Sequence, residues 1–112
     1  MALVQARRLN YNEYMIKEGL PEEYLQDLNT AVSFLNSEGC HEIYLFGSLA
    51  NGDFDQNSDI DLAVRGVDPK RYFSIYGQLL LQLKHSVDLV DLDIQPMFGK
   101  KLLESGQLQR IY

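Results

Sequence analysis

Two short strands framing one helix constrain this chain more than any other feature. Asp59–Arg65 alternates acidic and aliphatic residues at its start, a period-two pattern, and Val87–Leu92 reads as a second aliphatic strand. Between them Asp68-Pro69 opens a helix to about Lys84, with Asp68 as its N-cap and Pro69 at its first position. Strands joined through a full helix are parallel and linked by a right-handed crossover. His41–Phe46, rich in Ile, Tyr, Leu and Phe, is a further strand. Only a short helical turn, Ser48–Asn51, and a polar loop, Gly52–Asn57, separate it from Asp59, which predicts an antiparallel neighbour. The expected class is α+β, with a small mixed sheet flanked by helices. An antiparallel first strand sets its C-terminal end beside the N-terminal ends of the other two. Gly47, Ser48, Asp59, Asp61 and Asp88 then converge on one edge of the sheet.

The remaining elements fit around that frame. Pro21-Glu-Glu opens a helix that Gly39 stops, and Tyr24, Leu25, Leu28, Val32 and Leu35 repeat at helical spacing along it. Pro96 opens a last helix to about Glu104, ended by Gly106, and Leu108–Tyr112 reads as a short edge strand. A short helix is expected over Tyr11–Glu18, closed by Gly19. With 112 residues there is room for one domain. We divide the chain into an N-terminal extension, residues 1–19, and a domain over residues 20–112. The longest apolar runs, Ile43–Phe46 and Leu79–Leu81, fall far short of the roughly 20 residues of a membrane span. Met1–Arg8 carries no apolar core of signal-peptide length, and the single Cys40 cannot close an intrachain disulfide, so a reducing, cytoplasmic location is expected.

The chemistry starts at Asp59-Ile60-Asp61. Residues i and i+2 of a strand project to one face, so the two carboxylates lie side by side while Ile60 enters the core. Unscreened carboxylates a few ångströms apart repel, and a divalent cation removes the conflict. Oxygen-only ligands suit Mg²⁺, and Asp88 on the next parallel strand supplies a third carboxylate. Three such groups can hold two metals about 3.5–4 Å apart, the arrangement used for in-line phosphoryl displacement. Taken alone, each Asp could equally begin an exposed strand. Gly47 lets the backbone turn sharply and approach a ligand, and Ser48 starts a helical turn with free N–H groups and a hydroxyl for a phosphate oxygen. Alone, Gly-Ser is an ordinary turn, as is Gly52, which closes it.

Together, Gly47-Ser48-Leu49-Ala50-Asn51-Gly52, Ser58-Asp59-Ile60-Asp61-Leu62-Ala63-Val64 and Val87-Asp88-Leu89-Val90 resemble the minimal nucleotidyltransferases of the DNA polymerase β superfamily. The motifs agree in order, spacing and secondary structure, and the resemblance runs from Leu20 to Tyr112. It implies the polymerase-β-like nucleotidyltransferase fold. It also implies that Asp59 and Asp61 bind both catalytic Mg²⁺ ions, that Asp88 binds one and helps orient or deprotonate the attacking hydroxyl, and that Gly47 and Ser48 hold the nucleotide's β- and γ-phosphates. The implied reaction moves a nucleoside monophosphate, AMP from ATP, to a hydroxyl and releases pyrophosphate. Asn51 stands where such proteins often carry Arg, which offers phosphate a forked and permanent charge. Arg65, Lys70, Arg71 and Lys84 could compensate, although each also reads as a solvated surface charge.

Small stand-alone members resemble the antitoxin half of two-gene modules, paired with a helical HEPN-domain toxin, and the implied acceptor is then a tyrosine hydroxyl of that toxin. A formal charge of −6, from 16 acidic and 10 basic residues, argues against direct nucleic-acid binding, which rests on neutralising phosphates. Homo-oligomerisation is left open. Two other classes compete. One is a degenerate nucleotide-binding relative that acts by binding its partner without catalysis, a reading that Asn51 supports. The other is an acidic cation-binding structural domain; Asp53-x-Asp55-x-Asn57 begins like a calcium loop, but it lacks glycine at the sixth position and glutamate at the twelfth.

Other polar residues read as structural. His41 and His85, at element boundaries, are expected at the surface. Asp91 alternates with Asp88 and is expected to face away from the carboxylate cluster, with Asp93 beyond it. Asp53 and Asp55 belong to a solvated loop, Cys40 packs, and Tyr72 and Tyr76 share a helix face at i, i+4.

Overall fold

The computed structural model describes residues 19–112. The helix expected over Tyr11–Glu18 lies outside the described residues. The elements run α1 (Glu22–Ser37), β1 (Glu42–Phe46), α2 (Gly47–Asn51), β2 (Ile60–Arg65), a 3₁₀ turn (Pro69–Arg71), α3 (Tyr72–Gln82), β3 (Val87–Asp91), α4 (Pro96–Glu104) and β4 (Gln109–Arg110). This is the expected order, and the sheet is mixed, with strand order β3-β2-β1-β4. β1 runs antiparallel to β2, and β2 runs parallel to β3 across the α3 crossover.

Helix ends follow local chemistry. Pro21 precedes α1, and Glu22 and Glu23 sit at its positive end. At its other end Gly39 takes φ 97°, while its N–H reaches Asn36 O and that of Cys40 reaches Leu35 O at 3.0 Å, a Schellman closure. The Asp68 carboxylate accepts from Lys70 N at 3.0 Å, as expected of an N-cap. The single helix expected from Asp68 to Lys84 is divided, however: the 3₁₀ turn comes first, and the α-helix stops at Gln82. The stop has a cause in α1. The backbone N–H groups of Lys84 and His85 donate to the Asp27 carboxylate, at 3.0 and 2.9 Å, instead of continuing the helix ladder.

Strand alternation separates two cores. Ile43, Leu45, Ile60, Leu62, Val64, Val87 and Leu89 pack against Leu28, Val32 and Leu35 of α1 and Ile75 and Leu79 of α3. Phe46, Ala63 and Leu92 pack with Leu102 of α4 on the other face. Ile60 is fully buried, as the strand pattern required. Among the described residues no helix is long and apolar enough to cross a membrane.

Candidate active site

Register brings the carboxylates together. Phe46 pairs with Asp61 across β1 and β2, and Asp61 pairs with Asp88 across β2 and β3. Gly47, Ser48, Asp61 and Asp88 therefore share one sheet edge, and Asp59 ends the loop that enters it. β2 starts at Ile60, one residue later than expected, so Asp59 precedes the ladder.

Gly47 is fitted to Asp61. Its φ is +72°, a left-handed conformation that costs other residues about 1–2 kcal/mol. A Cβ placed there would overlap Asp61 Oδ2 and lie 3.0 Å from Asp61 Cγ. The glycine thus leaves room for the carboxylate as well as turning the chain. Ser48 follows at the start of α2, and Gly52 closes that helix at φ 87°, with its N–H on Ser48 O at 3.0 Å. Asn51, the last residue of α2, is exposed.

Asp61 is half-buried, and its carboxyl is pushed up to about 6, first by desolvation and then by the charges of Asp88 and Asp59. This is the repulsion anticipated from the sequence. Asp59 and Asp88 are exposed. Among the described residues no three Asp, Glu, His or Cys side chains already form a cage for a metal ion. The donor set nevertheless fits a hard divalent cation in charge and chemistry, because three like charges meet where one carboxyl is partly desolvated. Tyr76, on α3, donates its hydroxyl to Val87 O at 3.0 Å and lies 3.4 Å from Asp88 Oδ1. Tyr72, one turn away, packs edge-on against Tyr76 and donates to Leu89 O. Burial raises both phenols above their usual range.

A second cluster supports the site from behind, and His85 belongs to it. The surface position expected for His85 is incorrect: the ring is half-buried, its Nδ1 lies 2.7 Å from Asp27 Oδ2, and it stacks on Tyr24 with centroids 3.9 Å apart. The Tyr24 hydroxyl donates to Ser58 O at 2.6 Å, next to Asp59, and lies 3.3 Å from Asp55 O. Ser58 Oγ in turn accepts from Asp55 N at 2.9 Å, and Phe54 meets the Tyr24 ring edge-on. The loop before Asp59 is thereby fastened to α1. The signal lay in α1 itself: Asp27 stands three residues from Tyr24 and one from Leu28, on the apolar face, where a carboxylate must find partners.

The other expectations resolve simply. His41 is exposed, whereas Asp91 faces away from Asp88 and is buried, accepting from Asp93 N at 2.9 Å. Asp53 and Asp55 are exposed. Cys40 is buried, and desolvation pushes its thiol up to about 11, so it is inert packing. Arg65 and Arg71 lie at the other end of the sheet from the carboxylates, and the Lys84 ammonium is engaged by α1. Arg65 lies 3.4 Å from Asp93 and 3.7 Å from Glu42 at the far end of β2, Arg71 pairs with Glu38 at 2.6 Å, and Lys84 Nζ reaches Gln26 Oε1 at 3.3 Å. Lys70 sits in the turn that follows that same far end.

Comparison with known proteins adds to this geometry. Residues 29–109 match the family model for polymerase beta nucleotidyltransferases. The chain is similar to a chain in the crystal structure of a toxin–antitoxin with AMP-PNP, at 29% identity and TM-score 0.63, over 75% of this chain and 71% of that one. A chain in the MntA–HepT toxin–antitoxin structure is similar at 26% identity and TM-score 0.59, over 78% and 70%. A third similarity, at 25% identity and TM-score 0.59 over 78% and 70%, is to a chain in the structure of the tri-AMPylated Shewanella oneidensis HEPN toxin in complex with MNT antitoxin. A search of curated proteins found no match.

Proposed function

The chain belongs to the polymerase beta nucleotidyltransferase family, and from that premise we propose that it is a protein adenylyltransferase, an antitoxin that moves AMP from ATP to a tyrosine hydroxyl of a HEPN-domain toxin. The observation that carries this reading is the register of Asp61 against Asp88, with Gly47 cut back to admit the Asp61 carboxylate. Residues 20–112 form the nucleotidyltransferase domain in this reading, residues 1–19 an extension, and the cytoplasm is the place of action.

Gly47 and Ser48 hold the β- and γ-phosphates, with Asn51 beside them. Asp59, Asp61 and Asp88 are the residues that would hold two Mg²⁺ ions. Such ions, when bound, neutralise charge on the transferred phosphoryl group and favour in-line displacement. Asp88, exposed at the outer strand, orients the acceptor hydroxyl and receives its proton. The acceptor oxygen bonds to the α-phosphorus, the bond from that phosphorus to the bridging oxygen breaks, and pyrophosphate leaves. The partner assignment draws on similarity to toxin–antitoxin complexes, one holding AMP-PNP and another a tri-AMPylated toxin.

A second reading has its own support. Arg65 and Arg71 are engaged away from the edge, Lys84 Nζ is held by Gln26, and Asn51 brings no charge. Under this reading the chain binds nucleotide and partner without transfer. Incubation with labelled ATP and Mg²⁺, offering a HEPN toxin, tRNA and single-stranded DNA in parallel, separates the two. Label on a toxin tyrosine is the expected result. Label on nucleic acid alone overturns the proposal, and label nowhere selects the binding-only reading.

A further inference from the structure

β3 is an edge strand, since the order β3-β2-β1-β4 gives it a strand neighbour on one side alone. Ser86 O accepts from Ile60 N at 2.8 Å and Leu92 N donates to Val64 O at 2.9 Å, so the even-numbered residues here turn their backbone groups toward β2. The carbonyls of Val87 and Leu89 therefore point outward, where an edge ordinarily leaves them to water or to another chain. Two tyrosines of α3 take them instead. Tyr76 donates to Val87 O at 3.0 Å, and Tyr72, one helical turn earlier, donates to Leu89 O. Their rings meet edge-on, with centroids 5.9 Å apart. Four residues of helix rise about 6 Å and two residues of strand about 6.6 Å, so the two spacings match.

Asp88 stands between the two gripped carbonyls, in register with Asp61. Its Oδ1 lies 3.4 Å from the Tyr76 hydroxyl, which among the described residues is the one side-chain donor that reaches this carboxylate. A phenol has one proton, and here it has two acceptors. The proton can serve the carboxylate while Asp88 is turned to Tyr76. When Asp88 turns to an acceptor hydroxyl, Val87 O keeps the phenol satisfied. The carboxylate can therefore move without stranding a half-buried hydroxyl.

We propose that Tyr76 is a positioning residue for Asp88: its hydroxyl, anchored on the outer edge of β3, stations the carboxylate that receives the acceptor's proton. Tyr72 is its structural counterpart, gripping the same edge without a hydrogen bond to any carboxylate. The role in transfer rests on the adenylyltransferase reading; the contact itself does not.

The test compares Tyr76→Phe with Tyr72→Phe in the full chain. Each removes one hydroxyl from one outward carbonyl and keeps its ring, so the two share what the strand edge contributes to folding. In the metal-free protein, NMR couplings at the Asp88 Cβ protons should report one side-chain rotamer in wild type and in Tyr72→Phe. Tyr76→Phe should show rotamer averaging. In transfer from ATP and Mg²⁺ to a HEPN toxin, Tyr76→Phe should lower kcat about tenfold at unchanged ATP affinity, while Tyr72→Phe stays within about twofold of wild type. Replacing Tyr76 by p-aminophenylalanine keeps a donor at the ring end and should restore most of the rate. A wild-type kcat in Tyr76→Phe, or equal losses in the two Phe variants, overturns the positioning role alone. So does a fixed Asp88 rotamer in Tyr76→Phe, failure of the amino variant to restore the rate, or loss of ATP binding, because Asp88 is assigned to the acceptor. A wild-type chain that transfers AMP to no acceptor overturns the adenylyltransferase reading, and this proposal with it.

Discussion

The Asp61 carboxylate occupies the space that a side chain on residue 47 would fill, 3.0 Å from Cγ to the site of the missing Cβ, with Oδ2 closer still. Gly47 opens α2 directly after β1, whose last residue, Phe46, registers opposite Asp61 on β2. Gly47→Ala should therefore do two things at once. It strains a backbone at φ +72° and pushes Asp61 from its position. We expect a loss of about 1–3 kcal/mol in stability and loss of nucleotide transfer. Chemical denaturation alongside the transfer assay checks this, and a wild-type rate in a folded Ala variant would refute the fit.

Asp61 predicts a pH dependence. Its carboxyl titrates near 6 in the fold, against 3.8 as its ordinary value. The native state thus binds more protons than the unfolded chain between these values, and stability falls as pH rises through that window. Desolvation and the Asp88 and Asp59 charges cause the shift, and at this partly exposed edge the loss amounts to about 1–2 kcal/mol after screening by solvent. Asp61→Asn should remove the slope and raise the melting temperature at pH 7 while abolishing transfer. Millimolar Mg²⁺ should flatten the slope in the wild type. An identical pH–stability curve for wild type and Asp61→Asn would contradict this account.

Tyr24 gives a prediction for the loop. Tyr24→Phe keeps the stack on His85 but removes the hydroxyl that holds Ser58 O. The stability cost is about 1 kcal/mol, while transfer should fall by more than that cost implies, because Asp59 follows Ser58. Faster hydrogen exchange over residues 53–59 is the accompanying signature. Asp27→Ala, by contrast, strips partners from His85 Nδ1 and two backbone N–H groups and should cost about 3–5 kcal/mol in thermal unfolding.

Asn51→Arg tests the missing charge. The position is exposed at the end of α2, so the change is tolerated by the fold. A charge-assisted contact is worth about 1.5–3 kcal/mol, so calorimetry should show ATP binding in Mg²⁺ tightened by about tenfold or more. No gain would mean that position 51 does not face the triphosphate.

Much of the site was legible in the linear chain because it depends on local periodicity. Asp59 and Asp61 two residues apart, the helix-length gap before Val87, and the short gap after Phe46 were enough to orient three strands and bring Gly47, Asp61 and Asp88 together. Strand alternation placed Ile60 in the core and turned Asp91 away from Asp88. Long-range pairing decided the rest. Nothing near His85 in sequence tells it that Asp27, 58 residues away, will take its ring and end α3 at Gln82. Gly47 announced a turn, but only the β1–β2 register shows that its missing side chain makes space for Asp61. The basic residues could each have served a phosphate until Arg65 and Arg71 met Asp93 and Glu38, because the partner of a long charged side chain is set by which elements pack beside it. The sequence by itself thus determined the order of elements and the strand directions, through spacing of two and 3.6 residues; the tertiary structure decided which buried polar groups satisfy one another and which charges remain for a ligand or a partner.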